Sequence, residues 1–123
     1  MSTRSSINVK CQDGKIRSSY IHFDGDAHLD TLKSFYNSPE EAEALVMLGD
    51  MSVLAENMGC PEGHSFENQE EGFCVFYGRD RGEDWDHVRP KEYDTFEEAN
   101  NNDRGEEYYY NFNKTWTRKK AKW

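Results

Sequence analysis

Two short alternating segments meet at Asp13-Gly14, and this pairing constrains the fold more than any other feature of the chain. In residues 5–11, Ile7, Val9 and Cys11 fall on one side and Asn8 and Lys10 on the other. That is the period-two pattern of a half-buried strand. Asp-Gly is a strong short-range hairpin signal, because both residues tolerate the positive φ of a tight turn. A second strand follows from about Lys15 to Phe23. Ile16, Ser18, Tyr20 and His22 share one of its faces, and Arg17, Ser19, Ile21 and Phe23 share the other. Apolar residues on both faces predict a strand inside a sheet.

Helical signals come next. Residues 27–36 read as a short helix with Leu29, Leu32 and Phe35 or Tyr36 on one side. Ser38, Pro39 and Glu41 form a capping box with proline at the first helical position. Ala42, Leu45 and Leu48 form the stripe of that helix, and Gly49 ends it. The i, i+3, i+4, i+7 spacing of Met51, Leu54, Ala55 and Met58 predicts a third helix from Asp50, closed by Gly59. Residues 60–71 read as a loop, FCVFY at 73–77 as a buried strand, and the next nine residues as a polar loop. Thr95 and Glu98 open a short helix that ends in an asparagine triplet at 100–102. Two strands then flank an Asn113-Lys114 turn. With 123 residues there is room for one core. The prediction is a single α+β domain over 1–123. Its antiparallel sheet has a hairpin at each end of the chain and two to four short helices packed on one face.

Hydrophobic residues make up only 35% of the chain, but aromatics reach 14%, too many for a disordered polypeptide. No apolar run approaches the roughly 18–20 residues of a membrane span, and the first ten residues lack the apolar core of a secretory signal. Three cysteines, none in a CxxC, argue against a disulfide framework and for a reducing compartment. The net charge of −9 is unevenly spread. Residues 62–107 hold 15 Asp/Glu against 5 Lys/Arg, whereas residues 114–123 hold five Lys/Arg and no acid. This balance argues against whole-surface binding to duplex nucleic acid, although the basic tail could touch phosphate locally. The acidic stretch is either a solvated face or a surface for a basic partner, and the last ten residues read as a basic tail.

Candidate sites concentrate in two segments. At a strand end, Gly78 is followed by Arg79, Asp80, Arg81 and Glu83, with Tyr77 just before it. Two arginines around a glycine-flanked turn can clamp a phosphate or carboxylate by bidentate hydrogen bonds, with Asp80 orienting one of them. The bland reading is a surface turn whose arginines pair with nearby acids. In the second segment Tyr20 and His22 share a strand face and Asp24 follows at its end. That grouping offers acid–base chemistry or hard-metal ligation, and equally an ordinary strand and turn. Cys60 and His64 make at most half a zinc site. The tyrosines at 108–110 could stack bases, but a sheet face filled by aromatics explains them as well. No phosphate-loop, dinucleotide-binding, zinc-protease or nucleophile-elbow motif is present. No catalytic residue, metal or cofactor is assigned.

TRSSINVKCQDGKIRSSYIHFDGD at 3–26, EALVMLGDMSVL at 43–54 and YGRDRGE at 77–83 together resemble a group of small accessory proteins of tailed phages. Those proteins share a TRS-type start, a DG hairpin leading to a Y-x-H-x-D-G strand end, an LGD helix corner and a GRDRGE loop. The resemblance spans roughly residues 3–83. It departs at Phe23, where the group has Trp, and at Asp26, where it has an aromatic, so ligand preference at that spot is open. By association, the resemblance implies a phage-encoded protein of the host cytoplasm that binds and disables a host defence component or sequesters its small anionic signal. The expected binding residues are Tyr20, His22, Asp24, Tyr77, Arg79, Asp80, Arg81 and Glu83, with both arginines reaching solvent or a pocket. The alternatives are a small enzyme acting on a nucleotide or phosphate ester, and an acidic mimic of nucleic acid. The oligomeric state, a homodimer included, stays open.

Overall fold

In the computed structural model, which describes residues 4–22, 28–101 and 106–120, the first two strands are β1 (Ser5–Lys10) and β2 (Ile16–Ile21). They pair antiparallel through the Asp13-Gly14 turn, with Ile7 opposite Ser19 and Val9 opposite Arg17. Gly14 takes a φ of 85°, while Asp13 keeps a negative φ and supports the turn through its side chain, which accepts from the Lys15 N–H. Two helices follow, α1 (Leu29–Phe35) and α2 (Pro39–Met47). Ser38 caps α2 by accepting from the Glu41 N–H, while its hydroxyl donates to the Glu41 carboxylate. Ser38→Ala is expected to lower stability by about 1 kcal/mol in a urea melt. No loss would show the box to be ornamental.

The chain then departs from its helical spacing. Residues 51–53 form not a third helix but strand β3 (Met51–Val53), parallel to β2 and antiparallel to β4 (Val75–Phe76). Gly49, at a φ of 89°, ends α2, and Asp50 turns the chain into the sheet by accepting the Tyr20 N–H on its side chain. Met51 and Leu54 are buried, and Ala55 and Met58 pack on the core. Their spacing therefore marks burial without a helix. The 73–77 strand joins the same sheet as expected but is shorter, since Cys74 bonds irregularly to Asn57.

Residues 84–93 also carry structure that the polar composition hid: a short helix α3 (Trp85–Val88), capped by Asp84, and strand β5 (Lys91–Tyr93), antiparallel to β2. Helix α4 (Phe96–Ala99) is capped by Thr95 as predicted, and β6 (Tyr108–Phe112) and β7 (Trp116–Lys120) form the C-terminal hairpin. Among the described residues the order is β4-β3-β2-β1-β6-β7, with β5 also on β2. The architecture is α+β, but the sheet is mixed, because β6 lies parallel beside β1.

Ile7, Val9, Ile21, Met51, Phe76, Tyr110, Phe112 and Trp116 form the core with Leu32, Tyr36, Leu45 and Val46 of the helical layer. The Trp116 indole donates to the Tyr36 carbonyl, tying β7 to the end of α1. The helices do not all share that face. On the opposite side of β1, Asn8 donates to Asn100 at the end of α4 and to Asn111 of β6. The first residue of the asparagine triplet is thus a buried tie. Among the described residues no helix is long and apolar enough to cross a membrane.

Candidate functional site

Ile21, Met51 and Phe76 lie side by side on β2, β3 and β4 and are fully buried. Side chains alternate across a strand, so the neighbouring residues Tyr20, Asp50 and Tyr77 belong to the other face. The Tyr77 N–H donates to the Asp50 carbonyl and the His22 N–H to the Met51 carbonyl, which extends the sheet past its regular ends. The Tyr20 hydroxyl meets His22 Nδ1 at 2.7 Å. Burial pushes the Tyr20 hydroxyl pKa up. Burial also raises that of Tyr77, partly offset by a hydrogen bond with Ser52. Both phenols therefore stay neutral donors. Of the expected site, Tyr20 and Tyr77 share this face, on β2 and at the end of β4 with β3 between them. Asp24 lies outside the described residues, as do Phe23 and Asp26.

The two arginines of the loop differ. Arg79 turns inward, contrary to the expectation that both reach solvent or a pocket. Its guanidinium donates to the backbone carbonyls of Met58, Gly59 and Cys74 and to both oxygens of Asp80, and lies over the Phe76 ring. The Asp80 side chain is wholly buried and also accepts the Phe76 N–H at 2.8 Å. Burial alone would raise its pKa. The hydrogen bonds from Arg79 and Phe76 and the Arg79 charge outweigh that and hold it below the ordinary value. This Arg79–Asp80 clamp fastens the 58–60 segment to the end of β4.

His64 belongs to the same fastening. Its Nδ1 accepts the Glu70 N–H and its Nε2 faces the Cys74 carbonyl at 3.0 Å, which fits a neutral ring with its proton on Nε2. Both ring nitrogens are thus engaged with backbone. The Cys60 thiol points to the His64 carbonyl and the Asp80 carboxylate, so the Cys60–His64 spacing serves the loop. Among the described residues no group of three or more His, Cys, Asp or Glu side chains converges to hold a metal ion.

Arg81 is the outward arginine. Its side chain is 51% exposed, and among the described residues its ion pair, with Glu83, is loose at 3.7 Å. It lies over the Phe66 ring at 4.7 Å, and that ring packs against Tyr77 at 5.9 Å. The Phe66 N–H is fixed to the Asp80 carbonyl, so the clamp also sets the stack. Tyr77, Phe66 and Arg81 form an aromatic–cation ladder, while Tyr20 and His22 make a separate contact across β3. The ladder's chemistry suits a planar or anionic group: the guanidinium for charge, the ring faces for stacking, the Tyr77 phenol for hydrogen bonds. Sequence reasoning missed Phe66, which had no signal in the 60–71 loop, and Asp50 and Ser52, which the expected third helix concealed. No protein-family model, curated protein or solved structure matches the chain, so the reading of this face rests on its own geometry.

Proposed function

We propose that the protein works by binding rather than catalysis, as a phage-encoded accessory protein of the host cytoplasm. It captures a host defence component or that component's small anionic signal through Tyr20, His22, Tyr77, Arg81 and Glu83. The observation that carries this reading is the division of labour in the GRDRGE loop. Arg79 and Asp80 are consumed in holding the backbone, while Arg81 is presented on an aromatic shelf and, among the described residues, pairs only loosely, with Glu83. The phage setting comes from the resemblance of residues 3–83.

The test compares wild type with Arg81→Ala in capture from infected-host lysate, with native mass spectrometry for co-purified small molecules. Removing an exposed arginine changes stability by less than about 0.5 kcal/mol. Losing a charge-assisted contact of about 1.5–3 kcal/mol weakens capture on the order of tenfold to a hundredfold. Unchanged capture by Arg81→Ala would sink the proposal.

The short Tyr20–His22 contact is the one feature favouring the enzymatic alternative, with His22 as a base on a nucleotide or phosphate ester. His22→Ala separates the two: a binder keeps partial capture, whereas an enzyme binds and loses turnover. The acidic-mimic alternative has weaker support. Of the carboxylates in 62–107, Asp80 is inside the clamp, Glu92 and Asp94 pair with Arg17 and Lys15, and Glu98 completes the cap of α4.

A further inference from the structure

The outer edge of β7 stands apart from the rest of the molecule in charge and in pairing. β7 is the last strand of the sheet, and among the described residues no strand pairs with its other side. Its first residue, Trp116, is buried, and Thr117–Lys120 are exposed. Residues 108–123 contain five Lys/Arg and no acid, whereas all 24 Asp/Glu lie in residues 1–107. Alternation puts Arg118 and Lys120 on the face of Trp116, and Thr117 and Lys119 on the other. The edge is therefore basic on both faces of the sheet.

We propose that this edge docks an extended acidic segment of a partner protein, which adds to the sheet as a further strand. Strand addition supplies main-chain hydrogen bonds along about 17 Å, the length of five residues. The cations on both faces select a segment with carboxylates at successive positions. A second copy of β7 is the wrong occupant, because pairing would set lysines against lysines. Edge lysines ordinarily discourage association with like strands, and the same charges attract an acidic one. A nucleic acid strand fits less well. Tyr109, Tyr110 and Phe112 of β6 are buried and offer no ring faces to bases, and the other 107 residues are strongly acidic. This surface is separate from the Tyr77–Arg81 face, so either proposal can fail alone.

The probe is a fluorescent peptide of about eight Glu, Asp and Val residues with carboxylates at successive positions, a length that covers one strand. It is titrated into the full-length protein and followed by anisotropy and amide NMR. Saturable binding is expected, with shifts centred on Trp116–Lys120. The same peptide N-methylated at alternate backbone positions should bind about tenfold or more weakly, because strand pairing needs those N–H groups. A Lys119→Glu, Lys120→Glu double variant should also weaken binding by about tenfold or more. Lys119→Gln, Lys120→Gln serves if the charge reversal fails to fold. Arg81→Ala should bind the peptide as wild type does. Absence of saturable binding, equal affinity for the N-methylated peptide, or preference for oligothymidylate over the peptide would each overturn the proposal.

Discussion

Asp80→Ala is expected to destabilise the protein by about 3 kcal/mol or more, the cost of breaking a buried ion pair by removing one partner. The Phe76 N–H, the Arg79 guanidinium and the Cys60 thiol all lose Asp80 as an acceptor at once. The Phe76 N–H is left unsatisfied at the sheet end, and the Arg79 guanidinium loses both carboxylate contacts, among them the one from Nε. An orphaned buried N–H costs about 1–3 kcal/mol by itself. Arg79→Ala should cost somewhat less, about 2–3 kcal/mol, because its side chain is 24% exposed and water screens part of the loss. Arg79→Lys should not rescue, since one ammonium cannot fork to three carbonyls and a carboxylate. The double variant should cost far less than the two single changes added, as coupled partners do. Urea melts read all four. A near-silent Asp80→Ala would mean that the clamp is incidental and that Arg79 is free to serve a ligand.

The same residue sets an acid limb. Asp80 holds its proton less tightly in the folded state than its ordinary value of 3.8. A depressed folded-state pKa contributes stability that is fully present above the unfolded pKa and is lost as pH falls through the folded one. Stability should therefore drop below about pH 4, and Asp80→Asn should flatten that drop. Asp13, held at about 2 by Arg17, and Asp94, lowered by Lys15, titrate in the same direction but are exposed. The difference between wild type and Asp80→Asn isolates the clamp. If the two proteins lost stability in parallel, Asp80 would not be the titrating group.

What the chain reveals before folding follows from the range of the forces involved. The DG hairpin, both capping boxes, the Gly49 stop and the C-terminal hairpin are local, and each was legible. β3 was not, because Met51, Leu54, Ala55 and Met58 satisfy helical spacing while their burial comes from β2 and β4, which lie far away in sequence. The parallel seam between β1 and β6 joins residues about a hundred positions apart and leaves no local mark. At the site, the sheet places Tyr20 and Tyr77 on one face, a feature that strand alternation makes readable. The split between Arg79 and Arg81 was not readable, since the acceptors of Arg79 are carbonyls, which every residue carries. A guanidinium bound to backbone is invisible to side-chain pattern.

Gly49 supplies the second large effect, and it couples the fold to the site. At a φ of 89° a side chain is already strained, and here it also has no room. A Cβ would sit 2.5 Å from the Val88 carbonyl oxygen and 3.0 Å from the edge of the Trp85 ring. That carbonyl cannot retreat freely, because it accepts the Asp50 N–H at 2.8 Å. Gly49→Ala is therefore expected to cost about 3 kcal/mol or more, with torsional strain and overpacking acting together. Gly14 is the control. It has nearly the same φ, 85°, but nothing within 4 Å of the added atom, so Gly14→Ala should cost only the torsional part, about 1 kcal/mol. Relief of the clash would push Asp50 away from Val88 and disturb its grip on the Tyr20 N–H, the contact that leads β3 into the sheet beside the candidate site. Any Gly49→Ala protein that folds should then show altered tyrosine signals at Tyr20 and Tyr77 by NMR, which Gly14→Ala should not. Equal losses for the two glycines would mean that the corner yields, and that the approach of Val88 to Gly49 does not hold the sheet end in place.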